Sequence, residues 1–307
     1  MTMLFIGVTT KLSAAHQLFP AWSTALGIAG SPRLEGIDVP LGAPPATYRE
    51  IVGRLRDDPD VAGALITSHK IATFEAAADL LDATDDLAAL CGEVGCVSRA
   101  SGLVIGHALD PLTSMVALDR LAPSAHWEAF PDARVACLGA GGAGVAIGVG
   151  LAHRLGRAPG PAGFVVADRE VARVNHARTT LARVGAPEAW ATGATTGGDS
   201  SLADALVSSL PPGSVVVNAT GMGKDLPGSP LSDSVRFPER GIAWDLNYRG
   251  DRPFLGQAVA QASARGLAVA DGWDYFAISW ALHVARVFGV GEDTEALGRA
   301  VAATTRS

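Results

Sequence analysis

The sequence predicts an α/β fold built as two domains, and three observations carry that expectation. Short apolar runs alternate with longer amphipathic ones, the pattern of sheets flanked by helices. The length, 307 residues, makes about two domains at roughly 100–200 residues each. Apolar residues are 48% of the chain and charged residues 18%, enough to bury a core and too apolar for a disordered chain.

Taken in order, Leu4–Val8, Gly36–Leu41 and Ala62–Thr67 read as strands. Pro45–Leu55 and His69–Leu81 read as helices. Gly95–Gly106 alternates weakly around the turn signal Ala100–Ser101–Gly102 and reads as a hairpin ending at Asp110–Pro111. Pro111 is well placed to open a helix, Pro111–Leu121. The polar, proline-containing stretch Ala122–Asp132 is the expected domain boundary. Beyond it come a strand from Arg134, a helix to about Leu155, the strand Phe164–Ala167 and the helix Glu170–Val184. Ser201–Leu210 reads as a helix, and Ser214–Asn218 and Ile242–Leu246 as strands. A helix follows from Pro253, then two more, Trp273–Phe288 and Asp293–Ala302.

Other features bound the function. The formal net charge is −7, which argues against nucleic acid or an anionic membrane as the main partner. Cys91, Cys96 and Cys137 are an odd set without CxxC spacing, so neither a disulfide framework nor a structural zinc site is expected. Val135–Ala152 is uncharged and long enough for a membrane span, but its six glycines point to strand, loop and helix. MTMLFIGVTTKLS lacks the basic region and apolar length of a signal peptide, so a cytoplasmic protein is expected.

Gly139, Gly141 and Gly144 form GxGxxG directly after the apolar run Val135–Leu138. The first glycine permits a tight turn, the second lets a pyrophosphate approach, and the third lets helix pack on strand. The N–H groups of the following helix would face the phosphates. Asp168 closes the next strand, 29 residues after Gly139, and a carboxylate there suits the ribose hydroxyl of NAD. Arg169 and Arg173 point the other way, toward the 2′-phosphate of NADP. The expected cofactor is NAD or NADP, with NAD favoured.

In the first half, Thr67-Ser68-His69-Lys70 follows an apolar strand, and Asp110 precedes a proline. Together with other segments these make the chain resemble the shikimate/quinate dehydrogenase family over nearly its whole length. GVTTKLSAAH is similar to the family's serine-containing, carboxylate-binding segment. GALITSHK resembles the strand leading to its catalytic lysine, and GLVIGHALD its Gly-x-Asn-Thr-Asp segment. LGAGGAG matches the nucleotide loop, NATGMG the loop near the nicotinamide, and DLNYRGDRPFL the Asp-Leu-x-Tyr segment.

The resemblance implies an N-terminal α/β substrate domain, about 1–118, completed by C-terminal helices from 270–307. A Rossmann-like NAD(P)-binding domain spans about 125–265. It implies Lys70 as general acid/base and Asp110 as its partner. Ser13, Thr67, Tyr248 and Ser279 would bind substrate, with Leu65 and Lys11 at positions that are polar in the family. Gly139, Gly141, Gly142, Ala143, Gly144, Asp168, Arg169, Arg173, Asn218, Ala219, Thr220 and Gly221 would hold the cofactor. No metal is implied, because a nicotinamide carries the hydride. A lysine can take the alcohol proton if partial burial or a nearby cation lowers its pKa.

The chain departs from the family's pattern in its recognition residues. Leu65, Gly95 and Ala108–Leu109 stand where the family has asparagine or threonine, and Ser279 stands near its glutamine. Either N-terminal serine position could be the one Ser13 keeps, with Lys11 at the other. A buried hydroxyl left without a partner costs on the order of 1–3 kcal/mol. The expected substrate is therefore a cyclic, possibly carboxylated secondary alcohol or ketone other than ordinary shikimate. Tyr275 or Phe276 could shape an apolar pocket. The competing reading is a dinucleotide-binding sensor that has lost catalysis. The protein is expected as a monomer or homodimer.

Overall fold

The computed structural model describes residues 1–224, 226–290 and 294–304. Asp293, placed in the last expected helix, lies outside these. The chain forms two compact units, residues 1–110 with 277–307, and residues 111–276.

The first unit starts with β1 (Thr2–Gly7), whose six residues are all buried. A strand covered on both faces reads as a continuous apolar run, which is why it is visible in sequence. Then come α1 (Ala15–Ala25), β2 (Arg33–Asp38), α2 (Pro45–Asp57), β3 (Val61–Ile66) and α3 (Lys70–Ala77). They are followed by β4 (Ala83–Thr84), α4 (Asp86–Cys91), β5 (Cys96–Ala100) and β6 (Leu103–His107). The sheet order is β2-β1-β3-β5-β6-β4. β1, β2 and β3 are parallel, while β5 runs antiparallel to both β3 and β6. The β5–β6 turn is the expected one: Ser101 and Gly102 have φ of 52° and 83°, the geometry of a two-residue hairpin turn.

The second unit contains α5 (Asp110–Leu121) beyond its first residue, and α6 (Ser124–Ala129) within the stretch expected as a boundary. Next are β7 (Arg134–Leu138), α7 (Gly142–His153), β8 (Gly163–Asp168), α8 (Val171–Arg183), β9 (Ala191–Thr195) and α9 (Ser200–Ser208). Then come β10 (Val215–Asn218), β11 (Ile242–Asp245), α10 (Pro253–Arg265) and β12 (Ala268–Ala270). All pairs in this sheet are parallel, in the order β12-β11-β10-β7-β8-β9. That is the doubly wound dinucleotide-binding order, with its switch point between β7 and β10. The chain closes with α11 (Trp273–Phe288) and α12 (Thr294–Ala302), which belong to the first unit from residue 277 onward. Among the described residues, no helix is long and apolar enough to cross a membrane.

Candidate active site

Sheet register brings Lys70 and Asp110 together. Leu65 near the end of β3 pairs with Cys96 at the start of β5, and Cys96 pairs with His107 at the end of β6. The carboxyl ends of β3 and β6 therefore flank the entry to β5. Lys70 opens α3 after the first of these ends, and Asp110 opens α5 after the second. The Lys70 ammonium donates to Asp110 Oδ2 as a close ion pair, and the two side chains are only 16% and 9% exposed. A carboxylate at a helix N-terminus also gains from the helix dipole.

The protonation of Lys70 differs from the expectation of a lowered pKa. Burial does push it down, but the charges of Asp110 and Glu93 outweigh burial and hold it above the usual lysine value. Asp110 is pushed up by burial and pulled back further by Lys70 and His283, so it lies below the usual carboxylate value. Lys70 is thus held as an ammonium. Glu93, buried just before β5, is pushed up to about 7 by burial. His283 on α11 is held down to about 4, again by burial, and its Nδ1 donates to the Ser279 carbonyl at 2.6 Å. Sequence reasoning gave Glu93 no role. Its signal was a lone charge in the otherwise uncharged run from residue 87 to 98.

The other substrate candidates of this unit are as follows. Thr67 donates its hydroxyl to the Ile6 carbonyl at 3.1 Å. Ser13 is half-buried and its Oγ accepts from the Ala15 N–H at 3.2 Å. Lys11 is exposed and acts electrostatically on Asp38. Leu65 is buried, and Ser279 is half-buried beside His283. His69, next to Lys70, turns its ring to other elements: Tyr48 and the Val39 carbonyl engage its two ring nitrogens at 3.1 and 2.9 Å.

In the second unit, the loop between β7 and α7 carries the glycines expected to meet a diphosphate. Gly139 has φ of 109°, and a side chain there would meet the Ala219 carbonyl at 2.6 Å. Gly144 leaves room for the Gly139 carbonyl, whereas a Cβ on Gly141 would meet nothing within 4 Å. So the loop is closed behind and open in front, where Gly141, Gly142 and Ala143 start the helix with N–H groups no earlier turn satisfies. Asp168 Oδ2 accepts from the Ala140 N–H at 2.8 Å and ties the loop to β8. Arg169 and Arg173 each lie 3.4 Å from the Glu170 carboxylate.

Asn218 is fully buried, and its amide is spent on Met222, Asp245 and Thr220. Its part is to shape the loop, whose half-buried surface is Ala219, Thr220 and Gly221. Asp245, buried beneath it, is pushed up to about 6 by burial. Tyr248 packs on Phe276 at 4.5 Å and on Trp273 at 5.7 Å, and Tyr275 meets Trp244 edge-on.

A sheet of this order, with a glycine loop at its switch point, holds the coenzyme of nicotinamide-dependent oxidoreductases, and this protein is one of them. No family model matches the chain. It is 31% identical over 254 residues to the shikimate dehydrogenase (NADP(+)) of Methylobacterium radiotolerans, covering 82% of this chain and 78% of the relative. Among solved structures it is similar to the quinate dehydrogenase from Corynebacterium glutamicum in complex with NAD. There the TM-score is 0.72 and the identity 22%, over 99% of this chain and 98% of that one. It is also similar to the shikimate 5-dehydrogenase from Thermus thermophilus in complex with shikimate, with a TM-score of 0.65 and 25% identity over 98% of each chain. The chain belongs to the shikimate dehydrogenase family.

Proposed function

We propose that this enzyme moves a hydride between a nicotinamide and a secondary alcohol or ketone on a cyclic, carboxylated substrate with fewer ring hydroxyls than shikimate. The buried Lys70–Asp110 pair carries the reading. When bound, the nicotinamide supplies or accepts the hydride. As a ketone is reduced, Lys70 gives its proton to the carbonyl oxygen, and Asp110 fixes the ammonium and stabilises it. In oxidation the alcohol proton returns along the same path.

The surroundings of the pair favour an apolar ring. Leu65, Ala108 and Leu109 are buried aliphatic groups, and the residue against the Lys70 arm is Gly95. None of these side chains can bond a ring hydroxyl, so a substrate hydroxyl facing them would lose water without replacement. Ser13 keeps a hydroxyl able to meet a carboxylate. The loop Gly139–Gly144 would hold the diphosphate, with Asp168 at the ribose. NAD is the favoured form, because Glu170 lies against both arginines that a 2′-phosphate would need.

The test follows reduced-nicotinamide absorbance over a panel of cyclic alcohols with NAD and NADP, and uses Lys70→Ala as control. The expected outcome is turnover with NAD on a monohydroxylated ring acid, falling about 10²–10⁴-fold in the variant while NAD still binds. Shikimate outperforming every simpler alcohol would overturn the substrate reading. Undiminished turnover in Lys70→Ala would overturn the role of the lysine.

A further inference from the structure

A lysine carries its ammonium on a long flexible stem, so the charge is placed only if both ends of the stem are held. Asp110 holds the far end. The near end starts at a weak point of the fold. Lys70 is the first residue of α3, and the first turn of a helix has no earlier turn to hold its N–H groups. Only Ser68 and His69 separate it from Thr67, whose N–H donates to the Ile6 carbonyl at 2.9 Å. Ser68 is exposed, and the His69 side chain does not cap α3. His69 is instead buried, 3% exposed, with its ring turned to two other segments. The Val39 carbonyl can only accept, so Nε2 carries the ring proton and donates at 2.9 Å. Nδ1 then accepts from the Tyr48 hydroxyl at 3.1 Å. Both partners are themselves anchored. Tyr48 is a buried residue of α2, and the Val39 N–H, just beyond β2, donates to the Gly7 carbonyl at the end of β1 at 2.8 Å. The Lys70 carbonyl in turn accepts from the Val94 N–H at 3.2 Å.

We propose that His69 is a positioning residue of this centre: bonded at both ring nitrogens, it fixes the backbone from which Lys70 reaches Asp110 and the reacting oxygen. The proposal rests on the acid/base role of Lys70 given above. With both nitrogens engaged, the ring has neither an N–H nor a lone pair left for a substrate, so His69 acts only through its neighbour. A brace of this kind needs two nitrogens set apart on one rigid plane. Leucine lacks both, and glutamine supplies one. Without the brace the start of α3 loses its ties to α2 and to the segment after β2. A displacement of about 1 Å at a reacting group costs on the order of 10²-fold in rate. Substrate contacts away from Lys70 are untouched, so the cost falls on kcat and not on KM.

The test uses the full-length enzyme, with NAD and a hydroxycyclohexanecarboxylate as probe. His69→Leu, similar in bulk, should lower kcat by about tenfold to 10²-fold at a KM within about twofold. His69→Gln, whose amide N–H can still meet the Val39 carbonyl, should recover most of that loss. Tyr48→Phe removes a single bond and should cost about two- to fivefold, which decides the matter if His69→Leu does not fold. In the Lys70→Ala background, His69→Leu should change the residual rate by less than about twofold, because nothing is left to position. An equal fall in both backgrounds is a general structural defect and overturns the proposal, as does an undiminished kcat in His69→Leu. A second readout needs no substrate. Lys11, Lys70 and Lys224 are the only lysines of the chain, so ¹³C-lysine NMR can follow each one. Burial pushes Lys70 down, but Asp110 and Glu93 hold it above the usual lysine value. A loosened ion pair should let Lys70 lose its proton at lower pH in His69→Leu, less so in Tyr48→Phe, with His69→Gln close to the wild type. Identical titrations in all four proteins would count against the brace. If the wild type does not oxidise the probe, the substrate reading fails, and the lysine titrations alone decide His69.

Discussion

Lys70 is surrounded by more negative than positive charge, and its protonation follows from that balance. The same balance makes Glu93 visible in stability. Folded, Glu93 titrates at about 7; unfolded, it returns toward the ordinary 4.5. Between these values the native state keeps a proton that the unfolded chain has lost, so this group's contribution falls as pH rises from about 4.5 to about 7. Glu93→Gln removes that slope. The variant should gain on the wild type by on the order of a few kcal/mol as the pH passes 7. His283, held down to about 4, gives a slope of opposite sign, and Asp245, raised to about 6, one of the same sign. Both cancel in the difference between variant and wild type, measured by denaturant unfolding at about pH 5 and about pH 8. A difference that stays constant between these conditions counts against the assignment.

At the scale of elements, the loop from β7 to α7 separates two kinds of glycine. A Cβ at Gly144 would overlap the Gly139 carbonyl, while one at Gly141 would enter open space. Gly144→Ala should therefore destabilise the protein by about 1–3 kcal/mol, read as a lower Tm. Gly141→Ala should leave Tm within about 1 °C and weaken dinucleotide binding about tenfold, read by calorimetric titration. Most strands that sequence patterning found are central and buried, such as β1, β3, β7 and β10, while the half-buried edge strand β2 was placed three residues late, at 36–41. Those it missed are short edges: β4 has two residues, β12 three, and β9 is the sequence ATGAT. An edge strand packs little, so its sequence carries little periodicity. The helix α1 was missed because Pro20 interrupts it, although Phe19 and Trp22 are buried and anchor it.

At the scale of the whole molecule, the first unit depends on residues from the far end of the chain. Trp280 of α11 stacks on Trp22 at 5.3 Å and meets Phe5 edge-on at 4.9 Å, and the Trp22 indole donates to Thr304 Oγ1 at 2.7 Å. Residues 111–276 expressed alone should unfold cooperatively in a circular-dichroism melt. Residues 1–110 alone should not, unless a peptide spanning 277–307 is added. A cooperative melt of 1–110 by itself would count against this dependence. The sequence by itself determined the fold class, the positions of the buried strands and the glycine loop. These are local properties, written in periodicity and in the steric needs of single residues. The lysine and the aspartate could be picked out only through family resemblance, because neither is distinctive where it stands in the chain. Tertiary structure alone decided what charge they carry. Residues 70 and 110 meet, and 93 and 283 come within electrostatic reach of them, through the register of β3, β5 and β6 and the return of α11. A pKa is set by burial and by charges through space, and neither quantity exists until the chain has folded.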